Sequence, residues 1–418
     1  MLKRPIAVCL LATCLFAGLP AADRHAFAGT PLQDAIAKLT PEQQAKLKAY
    51  EAARLAFQRR TDQYWHQIEL KRKKRKAKFA AGTAVTAADY VKEQPPVYKG
   101  PARPDEIMAL LPKPPKPPAE YREPVPVVAD FLRNAEDVYG FKPDRVSEDD
   151  FMIFYAMEAI KLGLTRDQVV RVYALETGGM GTHDLQSGFN PRTGRAASTA
   201  LGYAQLLAAN TIEQIRKDGA DFAARLERQA GEVGISESKA SSLRAKAAIL
   251  RRMISDARTV RDNWPAHIAY AKTAKGLGMH ALNLDGEVGP WLQVVKLRGI
   301  TEFAARKGMG TLSGAQLELM NLAGPAHGFE MMQPIARTMP TSNFFERKGY
   351  ERNPIAAGRT GAQLLAKIDE IMDRNVQRTG AQRFARIFDS IAQRLAAGRR
   401  VQSSAQPAAQ PFSFSGGR

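Results

Sequence analysis

Cysteine is almost missing from this chain. Of its 418 residues only two are cysteines, Cys9 and Cys14, and both lie inside an apolar stretch that reads as a targeting signal. The remainder has no thiol, no disulfide and no cysteine metal site. Histidine is scarce too, at six residues, and no His-x-x-x-His pair offers a zinc spacing. A Gly-x-Ser-x-Gly elbow for a serine hydrolase is absent. Gly178-Gly179-Met180-Gly181 is glycine-rich, but it follows a helix and joins no strand to a helix N-terminus, so it is not a nucleotide loop. The apolar run from Ile6 to Leu19 is too short to argue for a permanent membrane span.

Basic charge is plentiful. The formal net charge is +19, which predicts adhesion to polyanions. Lys3-Arg4, the apolar run and Ala26-Phe27-Ala28 read as a signal peptide over residues 1–28. Export to the periplasm and association with the cell wall are therefore expected, and nucleic acid is not an expected partner. Freedom from disulfides is compatible with that compartment.

Residues 29–93 read as a basic helical arm. Thr40-Pro41-Glu42 is a good helix start, with Pro at the first helical position. The arm ends in the basic run Lys71 to Lys78, which is either a solvated face or a docking patch for an anionic envelope surface. Residues 94–126 are proline-dense and predict an extended, semi-rigid linker. Beyond them the pattern turns helical, and between Gln205 and Asn321 it is helical almost throughout. Phe151 to Leu162 is apolar enough for a core helix, with Phe154 and Met157 included. Thr211–Lys217 and Phe222–Ala230 read as two short helices, Ser236 or Ser238 to Asn263 as a long one, and Asp285-Gly286-Glu287 as a turn.

The chain is organised around residues 165–207. Thr165 with Gln168 three residues on is a capping-box pattern, and Val169, Val170, Val172, Tyr173 and Leu175 make the helix largely buried. It ends at Glu176, before Gly178-Gly179. A carboxyl at a helix C-terminus among apolar neighbours holds its proton more tightly, as general acid catalysis at a glycosidic bond requires. An ordinary glutamate in a last helical turn has the same local sequence.

Three stretches resemble, in order, the motifs of the lytic transglycosylases (SLT domain) of the lysozyme-like superfamily. They are Glu176-Thr177-Gly178-Gly179, then Ser198-x-Ala200-x-Gly202-Tyr203-Ala204-Gln205, then Met320-Asn321-Leu322-Ala323-Gly324-Pro325. The likeness covers roughly residues 127–340. Thr177 stands where the family usually has Ser, Thr199 where it has Gly, and Tyr203-Ala204 where it has Leu-Met. Met320 replaces the Tyr that helps orient the catalytic carboxyl, leaving Tyr270 or Tyr350 to fill that part.

The resemblance implies a mainly α fold. A lysozyme-like helical catalytic domain would span 127–358, with a helical insertion at about 211–310. C-terminal helices at 359–398 and a disordered tail at 399–418 would follow. It also implies cleavage of the MurNAc-GlcNAc β-1,4 bond of peptidoglycan glycan strands with 1,6-anhydroMurNAc formation, without metal or cofactor. Glu176 would be catalytic, and Ser198, Gly202, Tyr203, Gln205 and Asn321 would bind substrate. Phe344, Phe345 and Tyr350 are either packing residues or platforms for sugars. Two other readings stand beside this one. A muramidase hydrolysing the same bond would use Asp184 as a second carboxylate, and a non-catalytic peptidoglycan-binding scaffold would keep only the fold.

Overall fold

The computed structural model describes residues 31–112 and 123–404. The expected signal, residues 113–122 of the proline-dense stretch and the tail from 405 lie outside them. The described residues are mainly helical, with isolated β-bridges and no strand. No helix among them is long and apolar enough to cross a membrane.

The chain divides into two compact units. In the first, α1 (Pro31–Ala37), the start of α2 (Pro41–Ala80) and α3 (Asp105–Met108) bury Leu39, Leu47 and Ile107 together. The Thr40 hydroxyl accepts from Gln43 N at 3.2 Å while Thr40 N donates to Gln43 Oε1 at 2.9 Å. This reciprocal cap starts α2 one residue later. The described part of the proline-dense stretch before residue 113 is not the free spacer its composition predicts. Tyr98 packs edge-on against Phe57 at 5.5 Å, and the Arg54 guanidinium lies 5.0 Å from the Tyr98 ring. Apolar side chains between the prolines gave that segment something to bury.

The second unit holds residues 60–96 with 123–404. Its first helical stretch corrects the expectation of a separate arm. Trp65, Ile68, Tyr90 and Val91 belong to the main core. Arg75 lies seven residues after Ile68 on the same helical stripe and is 1% exposed. Its Nε donates to Glu330 at 2.7 Å, and its other nitrogens donate to the Asp89 and Asn343 carbonyls at 3.1 and 2.7 Å. Lys71 donates to the Ala88 and Tyr90 carbonyls at 2.8 and 2.7 Å. The basic run is therefore part structural and part exposed.

α4 (Val128–Tyr139), α5 (Glu148–Lys161) and α6 (Arg166–Glu176) follow. The capping box at Thr165 forms as its pattern predicts, with both bonds at 3.0–3.2 Å. α5 is less uniformly buried than its composition implies: Phe154 and Met157 are 39% and 44% exposed. α7 (Ala208–Ala230) is one helix where two were expected. Gly219 lies inside it against Ile254, where any side chain would collide. α8 (Glu237–Thr259), α9 (Trp264–Tyr270) and α10 (Ala274–His280) lead to α11 (Val288–Arg306).

Within the helical insertion expected at about 211–310, α11 belongs to the core. Val288, Leu292, Val294, Leu297 and Ala304 are at most 1% exposed, and a helix apolar on most sides is a core helix. It packs on α5, α7 and α12 (Gly314–Ala323). Its N-terminus is held by Asp285, which accepts from Val288 N at 3.0 Å and pairs with Lys246 at 2.7 Å. α13 (Pro325–Met332), α14 (Arg347–Arg352), α15 (Gly361–Asn375) and α16 (Thr379–Ser404) complete the unit. α16 continues as helix past the expected start of the tail.

Candidate functional site

α6, α11 and α12 bring four polar side chains together inside an apolar surround. Asn321 Nδ2 donates to Glu176 Oε1 at 3.0 Å and lies 3.2 Å from Glu318 Oε2. The two carboxyls also hydrogen-bond one another, and the Lys296 charge acts on both from beyond ion-pair distance. Lys296 lies 3.4 Å from the Ala204 carbonyl, which anchors it beside the loop after α6. Glu318 is 1% exposed, whereas Glu176 is half-buried and is the member of the pair that opens toward solvent.

The electrostatics separate the two acids. Burial pushes Glu318 well above the usual carboxyl range, and the neighbouring Glu176 charge pushes it further. Burial also raises Glu176, while the Lys296 charge and the hydrogen bond from Glu318 pull it partly back. Lys296 is lowered by burial, against the pull of Glu176, Glu318 and Glu213. The arrangement is a carboxyl pair that titrates as a unit. Of the two, Glu318 is pushed further above the usual range, and Glu176 is the one its hydrogen bond pulls back.

The loop between α6 and α7 is held from several sides. Gly178 and Gly179 take φ of +66° and +73°, which glycine adopts at no steric cost. A side chain at Gly179 would strike the Asn375 carbonyl. His183 bonds Glu148 through Nδ1 at 2.7 Å and stacks on Phe151 at 4.6 Å. Gln186 reaches the Ser198 and Pro126 carbonyls at 2.9 and 2.8 Å. His280, fully buried, bonds Thr199 O through Nε2 at 2.7 Å and Thr211 Oγ1 through Nδ1 at 2.8 Å.

Burial pushes His280 down to about 4, with the Thr199 carbonyl opposing. Between about pH 6.5 and 4 the unfolded chain binds a proton that the fold refuses, so stability falls as pH drops. The full loss is roughly 3 kcal/mol. Urea unfolding of wild type and His280→Gln at pH 7 and pH 4.5 checks this. The wild-type advantage should shrink at the lower pH, and an unchanged advantage would show that His280 takes up its proton freely.

Of the residues expected at the site, Glu176 and Asn321 meet. Gly202 takes φ +79° and lies so close to Gln293 of α11 that any side chain would collide with its amide. It therefore sets the loop against α11. Ser198 Oγ accepts from Ala200 N at 3.2 Å, and Gln205 donates to the Leu185 and Gly202 carbonyls at 3.0 and 2.8 Å. Both brace the loop. The expected cleft position of Tyr203 does not hold. It is 1% exposed, packs with Tyr173 and Phe384 at 4.8 and 5.4 Å, and donates its hydroxyl to Glu148. Its large apolar ring gains more from that aromatic cluster than from the loop surface.

Phe344, Phe345 and Tyr350 are 1%, 7% and 7% exposed, so they pack the core and are not platforms for sugars. Asp184 is pushed up by burial but held below the usual range by the Thr182 hydroxyl and Arg145, which occupy its oxygens. Met320 is buried. Tyr350 spends its hydroxyl on Gly358 N at 2.8 Å, and Tyr270 lies against Tyr139 and Asp256. Glu176 therefore takes its hydrogen bonds from Asn321 and Glu318.

Glu318 and Lys296 escaped the sequence reading. Each is a lone charge in an apolar helical run, Leu317-Glu318-Leu319-Met320 and Val294-Val295-Lys296-Leu297. A lone charge on a buried helix needs a partner, and that signal could have paired them. Among the described residues no group of three or more His, Cys, Asp or Glu is arranged to hold a metal ion. No protein-family model, curated protein or solved structure matches this chain.

Proposed function

We propose that this protein is an exported lytic transglycosylase with a lysozyme-like helical domain, cleaving the MurNAc-GlcNAc β-1,4 bond of peptidoglycan. The observation that carries the reading is the cluster of Glu176, Glu318, Asn321 and Lys296. Glu176 is the general acid. It hands its proton to the glycosidic oxygen, and the carboxylate left behind accepts from Glu318 and the Asn321 amide in the field of the Lys296 cation. All three are in position before the reaction, so no reorganisation is required when the charge develops. The ionised Glu176 then takes the proton of the muramyl C6 hydroxyl as that oxygen closes the 1,6-anhydro ring, and no water is consumed.

The spacing of the acids favours this route over hydrolysis. Two-carboxylate glycosidases hold their acids about 5–9.5 Å apart, on either side of the sugar. Glu318 shares one amide nitrogen with Glu176 and cannot reach the opposite face, and Asp184 is engaged by Arg145 and Thr182. Mass spectrometry of the products from purified sacculi tests the proposal. Anhydromuropeptides are the expected result. Reducing-end products would identify a muramidase, and binding without products would identify a scaffold.

Lys296→Met provides a second, sign-specific check. The cation favours ionised Glu176, so its removal raises the Glu176 pKa. Because the acid form starts the reaction, the alkaline limb of the kcat/KM profile should move to higher pH. The plateau should fall by about tenfold or more as the developing carboxylate loses a partner. An alkaline limb that stays in place would sever Lys296 from the site.

A further inference from the structure

A second feature of the larger unit lies apart from Glu176. A groove of about 1080 Å³ runs between the second half of α2, the end of α11, α13 and the start of α14. This volume matches the upper end of small-molecule sites, roughly 300–1,000 Å³. Its floor is aromatic: Phe303 and Phe329 meet edge-on at 6.3 Å, with Trp65 and Phe345 beneath them. Phe79 stands at its mouth, 53% exposed. The walls are tied at the base by the buried Arg75–Glu330 pair, to which Tyr90 adds a hydroxyl bond at 2.8 Å. The groove is thus preformed.

The rim is basic. Lys73, Lys76, Lys307 and Lys348 line it, and none has an acidic partner among the described residues. Two open carboxyls also line it, Glu69 and Glu346, and Glu346 is paired with Arg72 at 3.4 Å. The lining contains no hydroxyl and no side-chain amide. The apolar floor offers an alkyl chain a surface that asks for no hydrogen bonds.

We infer that this groove binds an anionic amphiphile with a single alkyl chain. The chain lies on the phenylalanine floor, and a phosphate or carboxylate head is held by the lysine rim. This site is independent of the reading given to Glu176. Four ammonium groups, against two open carboxyls, around an apolar trough complement such a molecule, and neither a neutral lipid nor a free anion engages both features.

Isothermal titration calorimetry of the full chain with dodecyl phosphate, kept below its micelle concentration, is the test. One molecule should bind per chain. Phe79→Ser and the pair Lys73→Glu/Lys307→Glu should each weaken binding at least tenfold, and these exposed positions leave folding intact. Glu176→Gln should bind as wild type does. Inorganic phosphate and dodecyl maltoside should bind far more weakly. Equal binding of either, or affinity untouched by both variants, would overturn the inference. So would binding to phosphatidylglycerol vesicles without binding to monomeric dodecyl phosphate, since that describes a membrane-docking face. Displacement of dodecyl phosphate by acidic muropeptides would instead assign the groove to the cell-wall substrate.

Discussion

Glu176→Gln should reduce the release of soluble muropeptides from sacculi by about 10³-fold, within the range that general acid–base groups contribute. The substitution is close to isosteric. Its amide oxygen still accepts from Asn321, and its amide nitrogen donates to Glu318, so the cluster keeps its hydrogen bonds. What disappears is the proton available to the leaving oxygen and the carboxylate that later takes one back. Stability should hold or rise, because an acid raised by burial and crowded by a second acid is a strained arrangement in the resting protein. The measurement pairs product release with urea unfolding and sacculus binding. Loss of turnover with binding and stability intact fits the proposal. Turnover near the wild-type rate would remove Glu176 from the chemistry.

Arg75→Met should destabilise the larger unit by about 3–5 kcal/mol, the usual cost of removing one partner of a buried ion pair. Glu330 would be left 5% exposed and without its cation, and the Asp89 and Asn343 carbonyls would lose their donor. Such a loss is a large part of the stability of an ordinary domain, about 5–15 kcal/mol. Lys73→Met, two residues away on the exposed side, is the control and should stay within about 0.5 kcal/mol of wild type. Urea midpoints for the two variants decide the matter. Equal midpoints would mean that the basic run is a solvated face after all. By the same logic, deletion of residues 29–93 would unfold the larger unit, because the deleted stretch supplies Trp65, Ile68, Arg75 and Val91 to its core.

The sequence by itself determined where many helices begin. Thr165 with Gln168 caps the helix its spacing predicts, and α2 starts at Pro41 as Thr40-Pro41-Glu42 predicts, because capping is settled within four residues of chain. It also put Glu176 at a helix end before two glycines, and Asn321 near the end of another helix. The tertiary structure decided which charges turn inward. Arg75 and Lys73 belong to one basic run, yet only Arg75 meets Glu330 across 255 residues of chain. Glu318 and Lys296 become part of a site only when α12 and α11 close on the end of α6. Tyr203 leaves the loop surface because Phe384 and Tyr173 offer its ring a better environment. A cap is a bond between near neighbours, so residue identity suffices to predict it. The burial of a charge depends on the partner that supplies its hydrogen bonds, and the fold alone brings that partner to it.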